Sequence, residues 1–200
     1  MEQHHYFLNT EHNKDDYFSF TDYFLGVPYT FNSCTDIFSK DTFDYGSVTL
    51  LKTVFNKVEL NGTVLDVGCG YGLIGIMLKL NNPNLDVKML DINTNAVMLS
   101  KQNAKQIGVN VDVFDSNLYD NVNFVVDHIV TNPPIKAGKQ NLFNVITGAF
   151  KVLKQNGTIT LVIKKKHGME SLKTKMEQTF GNVKILERDK GYYILHSQKK

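Results

Sequence analysis

Val64-Leu65-Asp66-Val67-Gly68-Cys69-Gly70-Tyr71-Gly72 runs directly into Leu73-Ile74-Gly75-Ile76-Met77-Leu78-Lys79-Leu80. A short apolar run, a glycine-dense turn and a longer apolar run predict a strand, a tight loop and a helix, the opening unit of a nucleotide-binding α/β sheet. Glycine tolerates the backbone such a loop needs and lets a ligand approach the main chain. The spacing is not that of a pyrophosphate loop: Gly70 to Gly75 is too long for G-x-G-x-x-G. Asp66 at the strand end repels an anion and favours a cation or an amine. A glycine-rich turn holding no ligand is the plainer alternative.

Val87-Lys88-Met89-Leu90-Asp91 predicts the next strand, ending in an acid. A carboxylate there, roughly 20 residues past the glycines, is placed to accept both hydroxyls of a ribose; alone, it would be an ordinary solvating residue. Asn93 is a helix N-cap, and the helix through Ala96-Val97-Met98-Leu99 to Ile107 stops at Gly108.

Asn132-Pro133-Pro134-Ile135 follows the apolar run Phe124–Val130. The two prolines lack an N–H, so this turn offers mainly acceptors: its carbonyls and the Asn132 side-chain oxygen. Such a cluster suits an NH2 group that must give up its lone pair, although Asn-Pro-Pro is also a common turn. If acceptance is what matters, aspartate at 132 preserves it.

With these segments in order, the chain resembles the class I S-adenosylmethionine-dependent methyltransferases. The resemblance rests on Asp66–Gly72, Asp91, Ser116-Asn117-Leu118-Tyr119 and Asn132–Ile135. The last motif marks the branch that methylates planar nitrogens. Within it the chain is most similar to the catalytic domain of small-subunit ribosomal RNA guanine-N2 methyltransferases, a likeness that includes Phe38-Ser39-Lys40, Asp44-Tyr45-Gly46-Ser47 and Lys190-Gly191-Tyr192-Tyr193-Ile194. The resemblance implies S-adenosylmethionine as cofactor. It implies that Asp91 and Ile92 hold its ribose and adenine edge, that Ser116 and Asn117 meet the adenine amine, and that Gly68 and Gly70 make room for the methionine part. Asp66 would lie near the amino group, Asp44 and Gly46 would close that end, and Asn132 would also touch the cofactor. Asn132, Pro133, Pro134 and Ile135 would form the catalytic turn. The fourth position is often aromatic in that branch; isoleucine leaves an apolar wall without a stacking ring.

Composition agrees. With 42% hydrophobic and 21% charged residues, the chain is globular, not disordered. Two hundred residues suit one domain with a sizeable core. The alternation of elements predicts a doubly wound, seven-stranded, mostly parallel α/β sheet. One strand is reversed, because strands at 182–188 and 191–196 flank the turn Asp189-Lys190-Gly191. Residues 1–35 are rich in aromatics and predict short strands or an arm packed on the core, with base stacking as the alternative; 36–200 form the methyltransferase domain. No apolar run is long enough for a membrane span, so a cytoplasmic location is the default. Cys34 and Cys69 make no disulfide framework, and His4-His5 alone build no metal cage, so no metal is expected.

Charge is uneven. Residues 1–150 carry 10 basic and 16 acidic side chains, and residues 151–200 carry 12 and 4. Lys164-Lys165-Lys166 closes the strand at 158–164, on the sheet edge expected to carry the site, and is a candidate RNA-phosphate contact rather than merely a solvated edge. Guanine N2 of ribosomal RNA is the favoured target. Adenine N6, a protein glutamine amide and a non-catalytic cofactor-binding role in ribosome assembly remain alternatives.

Overall fold

The computed structural model describes residues 16–35, 37, 41–134 and 138–200. Ile135, the 38–40 segment and His4-His5 lie outside the described residues. Strands β1 (Tyr17–Phe24) and β2 (Val27–Cys34) form an antiparallel hairpin. Its turn residues, Leu25 and Gly26, both have positive φ (51° and 83°), the backbone that a two-residue hairpin turn needs. The hairpin's Phe20 and Phe31 turn inward, stacked on each other and edge to face with Phe43 and Tyr71. Within residues 16–35, Phe24 and Phe31 belong to the core, Tyr17, Phe20 and Tyr29 pack against it half-buried, and Tyr23, Leu25 and Val27 at the tip are widely exposed.

The remaining elements are α1 (Tyr45–Lys57), β3 (Thr63–Val67), α2 (Leu73–Asn81), β4 (Asp86–Asp91), α3 (Thr94–Ile107), β5 (Asp112–Asp115), β6 (Val126–Thr131), α4 (Lys139–Val152), β7 (Leu153–Lys164), α5 (Met169–Phe180), β8 (Lys184–Asp189) and β9 (Tyr192–Gln198). Seven strands make one sheet in the order β5-β4-β3-β6-β7-β9-β8. Every pairing is parallel except those of β9, which runs against both β7 and β8. This is the predicted sheet with its one reversed strand.

Period-two alternation sends successive strand residues to opposite faces. Val64, Met89, Val130 and Val162 join a core with α1, α2 and α3. Leu65, Leu90, Ile129 and Leu161 join a second core with α4 and α5. Strands covered on both faces read as continuous apolar runs, which is why the sequence signals them so clearly. β7 starts earlier than expected: Leu153 pairs with Val126, then the register shifts before His128 meets Thr158. Asn156, at φ 65°, sits in that irregularity.

The topology creates the site. The chain builds β3, β4 and β5 outward in one direction, then returns to place β6 on the other side of β3. The loops after β3 and β6 diverge at this switch, and the crevice outside the carboxyl ends of such strands is where open α/β sheets bind ligands. Reversed β9 begins at Tyr192, opposite Lys164, so it brings a further residue to that same edge.

Candidate active site

A cavity of about 480 Å³ occupies the switch-point edge, within the size range of small-molecule sites. One half lies over β3, β4 and β5, the other over β6, β7 and the start of β9.

The first half is shaped by the glycine loop. Gly68, Gly70 and Gly72 take φ values of 75°, 57° and 95°, backbone that L side chains rarely adopt. Gly68 N and Cys69 N donate to Leu90 O at 2.8 and 3.0 Å, tying the loop to β4. Gly70 N donates to Asp91 Oδ2 at 2.9 Å, and Asn93 N donates to Asp91 Oδ1 at 2.9 Å. Each carboxylate oxygen retains acceptor capacity for a ligand hydroxyl. Burial pushes the Asp91 carboxyl above its ordinary value, opposed by the amides of Asn93, Gly70 and Ile92. Asp91, Ile92, Ser116, Asn117 and Leu118 all line the cavity. The Ser116 hydroxyl accepts from Asn121 N at 3.0 Å, and the Asn117 amide donates to Asp120 at 3.2 Å, so both side chains also order the loop after β5.

Asp66 is placed differently from expectation. It is completely buried and is not among the cavity-lining residues. Its Oδ2 accepts from Gly75 N at 3.0 Å, in the first turn of α2. Its Oδ1 has no partner among the described residues. Burial pushes its carboxyl up to about 8, with the Asp91 charge adding and the Gly75 amide opposing. A buried neutral acid bonded to the helix start orders the loop from behind. Burial likewise pushes the Cys69 thiol well up, with Asp91 and Asp66 adding; a neutral thiol is no nucleophile, and Cys69 is a packing residue.

The second half centres on Asn132, at the end of β6. Its Nδ2 donates to Asp44 Oδ2 and to Ser47 Oγ, both at 2.9 Å. Asp44 Oδ2 also accepts from Ser47 N at 2.7 Å, capping α1. The amide is thereby oriented, and its oxygen is left as the acceptor. Pro134 Cδ lies 3.6 Å from where a Cβ on Gly68 would stand, so the proline turn and the glycine loop abut. Asp44, Asn132, Pro133 and Pro134 line the cavity; Gly46 does not. A Cβ on Gly46 would stand 2.8 Å from the Tyr192 ring and 2.9 Å from Asp44 Oδ2, so that glycine lets Tyr192 close on the site.

Lys164 lines the cavity, while Lys165 and Lys166 do not; those two sit exposed in the short 3-10 turn after β7. Sequence reasoning missed Ser47, Asn103, the cavity-lining His167 and the separate part played by Tyr192. Asn103, fully buried on α3, donates to Tyr71 O at 2.8 Å and Asn32 O at 2.9 Å, joining glycine loop and hairpin. Its signal was available: an amide on the otherwise small and apolar face of α3. Among the described residues no His, Cys, Asp or Glu group could hold a metal, and no helix is long and apolar enough to cross a membrane.

The sheet order, the glycine loop and the Asn-Pro-Pro turn at one switch point define a protein of the methyltransferase class of α/β folds. The chain belongs to the methyltransferase small domain family, whose model matches residues 28–196. It is 40% identical over 174 residues to the uncharacterized protein YbxB of Bacillus subtilis, covering 86% of each chain. It is 30% identical to the ribosomal RNA small subunit methyltransferase C of Erwinia tasmaniensis over 85% of this chain and 49% of that one. The chain thus spans about half the length of that relative. A T. thermophilus 16S rRNA N2 methyltransferase, solved with AdoMet and guanosine, shares the fold. Its TM-score is 0.82 at 24% identity, covering 92% of this chain and 51% of that one.

Proposed function

We propose that this chain is an S-adenosylmethionine-dependent methyltransferase of the small-subunit ribosomal RNA type, acting on an exocyclic base amine, with guanine N2 as the target. The observation that carries the reading is the fixed amide of Asn132. Asp44 and Ser47 take its NH2 group, so its oxygen faces a ligand as an acceptor.

The residues fit the cofactor. Left-handed glycines leave a cradle that side chains would fill, Asp91 offers two carboxylate oxygens to a diol, and Ile92 and Leu118 supply apolar walls for an adenine. Bound there, the cofactor supplies a methyl group on a positively charged sulfur. Asp91 would take the ribose hydroxyls, and Ser116 and Asn117 would meet the adenine edge. Gly68 and Gly70 would make room for the methionine part, and Asp44, beside Asn132, would close that end.

An exocyclic amine is a poor nucleophile because its lone pair is shared with the ring. Asn132 Oδ1 and the Pro133 carbonyl accept its two N–H bonds, which frees the lone pair and aims it at the methyl carbon. That nitrogen would take the methyl group the bound cofactor supplies, and the sulfur would leave as a neutral thioether. The attacked nitrogen becomes acidic, and its surplus proton leaves to water, so no strong base is needed. Catalysis is positioning and electrostatics. A base inside a helix cannot reach this turn, so the target is single-stranded or flipped at a cost of a few kcal/mol.

The test is incubation with methyl-labelled cofactor and either unmodified small ribosomal subunits or naked ribosomal RNA, followed by nucleoside analysis. N2-methylguanosine is expected. Label on adenine N6 or on a protein amide would replace the substrate assignment, and cofactor binding without any transfer would replace the enzyme with an assembly factor.

A further inference from the structure

We infer that Tyr192, with Lys164 beside it, forms the nucleotide subsite: the tyrosine ring walls the target base, and the lysine meets a phosphate of the same RNA strand. The inference rests on Asn132 as the point of transfer and adds what holds the substrate there.

Tyr192 opens β9 and pairs with Lys164 at the end of β7. Its Cε1 and Asp44 Oδ2 lie 2.8 and 2.9 Å from one point, the Cβ that Gly46 lacks. The same carboxylate oxygen holds the Asn132 amide at 2.9 Å. An aromatic ring therefore stands against the carboxylate that holds the Asn132 amide, and ring and amide line the same cavity. The Lys164 ammonium lies over one face of that ring, 4.7 Å from its centroid, which leaves the other face to a base, and both side chains line the cavity. Among the described residues no carboxylate pairs with Lys164.

Among the described residues the other cavity-lining tyrosine does not serve. Tyr71 also lines the cavity, but it is 5% exposed and its ring is engaged edge-on by Phe20 and Phe31. Residue 135, which follows Asn-Pro-Pro, is isoleucine and has no ring.

The ring is also held in place. Lys165 N donates to Gly191 O at 2.8 Å, fixing the β8–β9 turn to the end of β7. The Tyr45 hydroxyl donates to Asp189, and Lys190 lies over the Tyr45 ring at 4.7 Å, so the turn is also latched to α1. The Tyr45 and Tyr192 rings lie 5.7 Å apart, tilted by 44°. A ring with an ammonium on one face suits a flat base on the other and a phosphate within reach of the ammonium. A glutamine side chain has neither a broad π-face nor an anion to use them, so the pair favours a nucleotide over a protein amide.

The experiment titrates guanosine 5′-monophosphate and guanosine, each into the millimolar range, against the full chain saturated with S-adenosylhomocysteine. Wild type, Tyr192→Phe, Tyr192→Leu and Lys164→Gln are compared. Leucine keeps apolar packing and loses the ring; phenylalanine keeps the ring. We expect Tyr192→Leu to weaken binding of both ligands by roughly ten-fold or more, in line with loss of one stacked base. Tyr192→Phe should stay near wild type. Lys164→Gln should weaken the monophosphate but not guanosine. Affinity for S-adenosylhomocysteine should hold in all. Equal nucleotide affinity in wild type and Tyr192→Leu, or no nucleotide binding by the wild type, would overturn the subsite. Its failure is separable from failure of the proposed reaction: if wild type methylates ribosomal RNA and Tyr192→Leu does so with an unchanged KM, the reaction stands and the subsite falls. If nucleotides bind as described but no RNA is methylated, the reverse holds.

Discussion

Asn132 Nδ2 donates to Asp44 Oδ2 at 2.9 Å across 88 positions of sequence, and that oxygen also caps α1 at Ser47 N. One carboxylate thus sets the orientation of the acceptor proposed for catalysis and the start of a helix. Asp44→Ala should cost about 1 kcal/mol of stability through removal of the cap. It should also slow methyl transfer by on the order of ten-fold or more, because the Asn132 amide loses the charge that orients it. Thermal unfolding and single-turnover rates at saturating cofactor measure the two effects. Unchanged turnover in a folded variant contradicts the orienting role.

The same bond reverses one expectation from sequence. Aspartate at 132 looks like a conservative acceptor swap. The structure makes it a second carboxylate at hydrogen-bond distance from Asp44, where two like charges repel. Asn132→Asp should therefore lose at least as much activity as Asn132→Ala near neutral pH, and regain part of it on acidification, when one of the pair takes a proton. A rate–pH profile decides; an Asp variant faster than Ala at neutral pH restores the simpler reading.

Asp91 organises the glycine loop and faces the cavity. Asp91→Ala removes the acceptors for Gly70 N and Asn93 N together with those offered to a ribose. Affinity for S-adenosylmethionine should fall roughly ten-fold or more, as charged hydrogen bonds disappear. Calorimetry measures it, and equal affinity contradicts the ribose assignment.

Asp66 gives a signed pH dependence. Its carboxyl is raised by burial from 3.8 to about 8. Between those values the folded chain holds a proton that the unfolded chain releases. The stability it contributes is full below the lower value and is lost as pH rises through the upper one. The Tm of wild type minus that of Asp66→Asn should decline across that window. A difference that stays flat or grows with pH contradicts a neutral buried acid.

Lys165 and Lys166, exposed beyond the cavity, are proposed RNA-backbone contacts. Replacing both with Gln should weaken RNA binding. The slope of log affinity against log salt should fall by roughly 0.7–0.9 for each phosphate that is no longer neutralised. Cofactor affinity should hold. An unaltered slope makes them a solvated edge.

Most of the fold was legible because a sheet covered on both faces writes itself as apolar runs separated by glycine and asparagine. Asn93 and Gly108 bound α3, as their capping chemistry predicts, and the Asp-Lys-Gly turn signalled the reversed strand. Asp91 was legible because strand-end position fixes what a side chain can reach. Asp66 was not: alternation along β3 alone does not say that its carboxylate turns to Gly75 N behind the loop. Tyr192 was recognised only as part of a longer motif, and Asp44 only through the resemblance, as a residue closing the methionine end. Their proximity comes from β9 running backward beside β7, a long-range pairing that no local pattern encodes. Ile135 lies outside the described residues, so its part in the wall rests on sequence alone.

The proposed chemistry turns on the acceptor at residue 132. Single-turnover methyl transfer to unmodified ribosomal RNA, at saturating cofactor, by wild type and Asn132→Ala tests it most directly. The hydrogen bond to Asn132 Oδ1 strengthens as positive charge develops on the attacked nitrogen, so turnover without it should fall by roughly 10²–10³ while cofactor affinity is unchanged. Full activity in Asn132→Ala would show that the Asn-Pro-Pro segment is a structural turn and that the transfer point lies elsewhere.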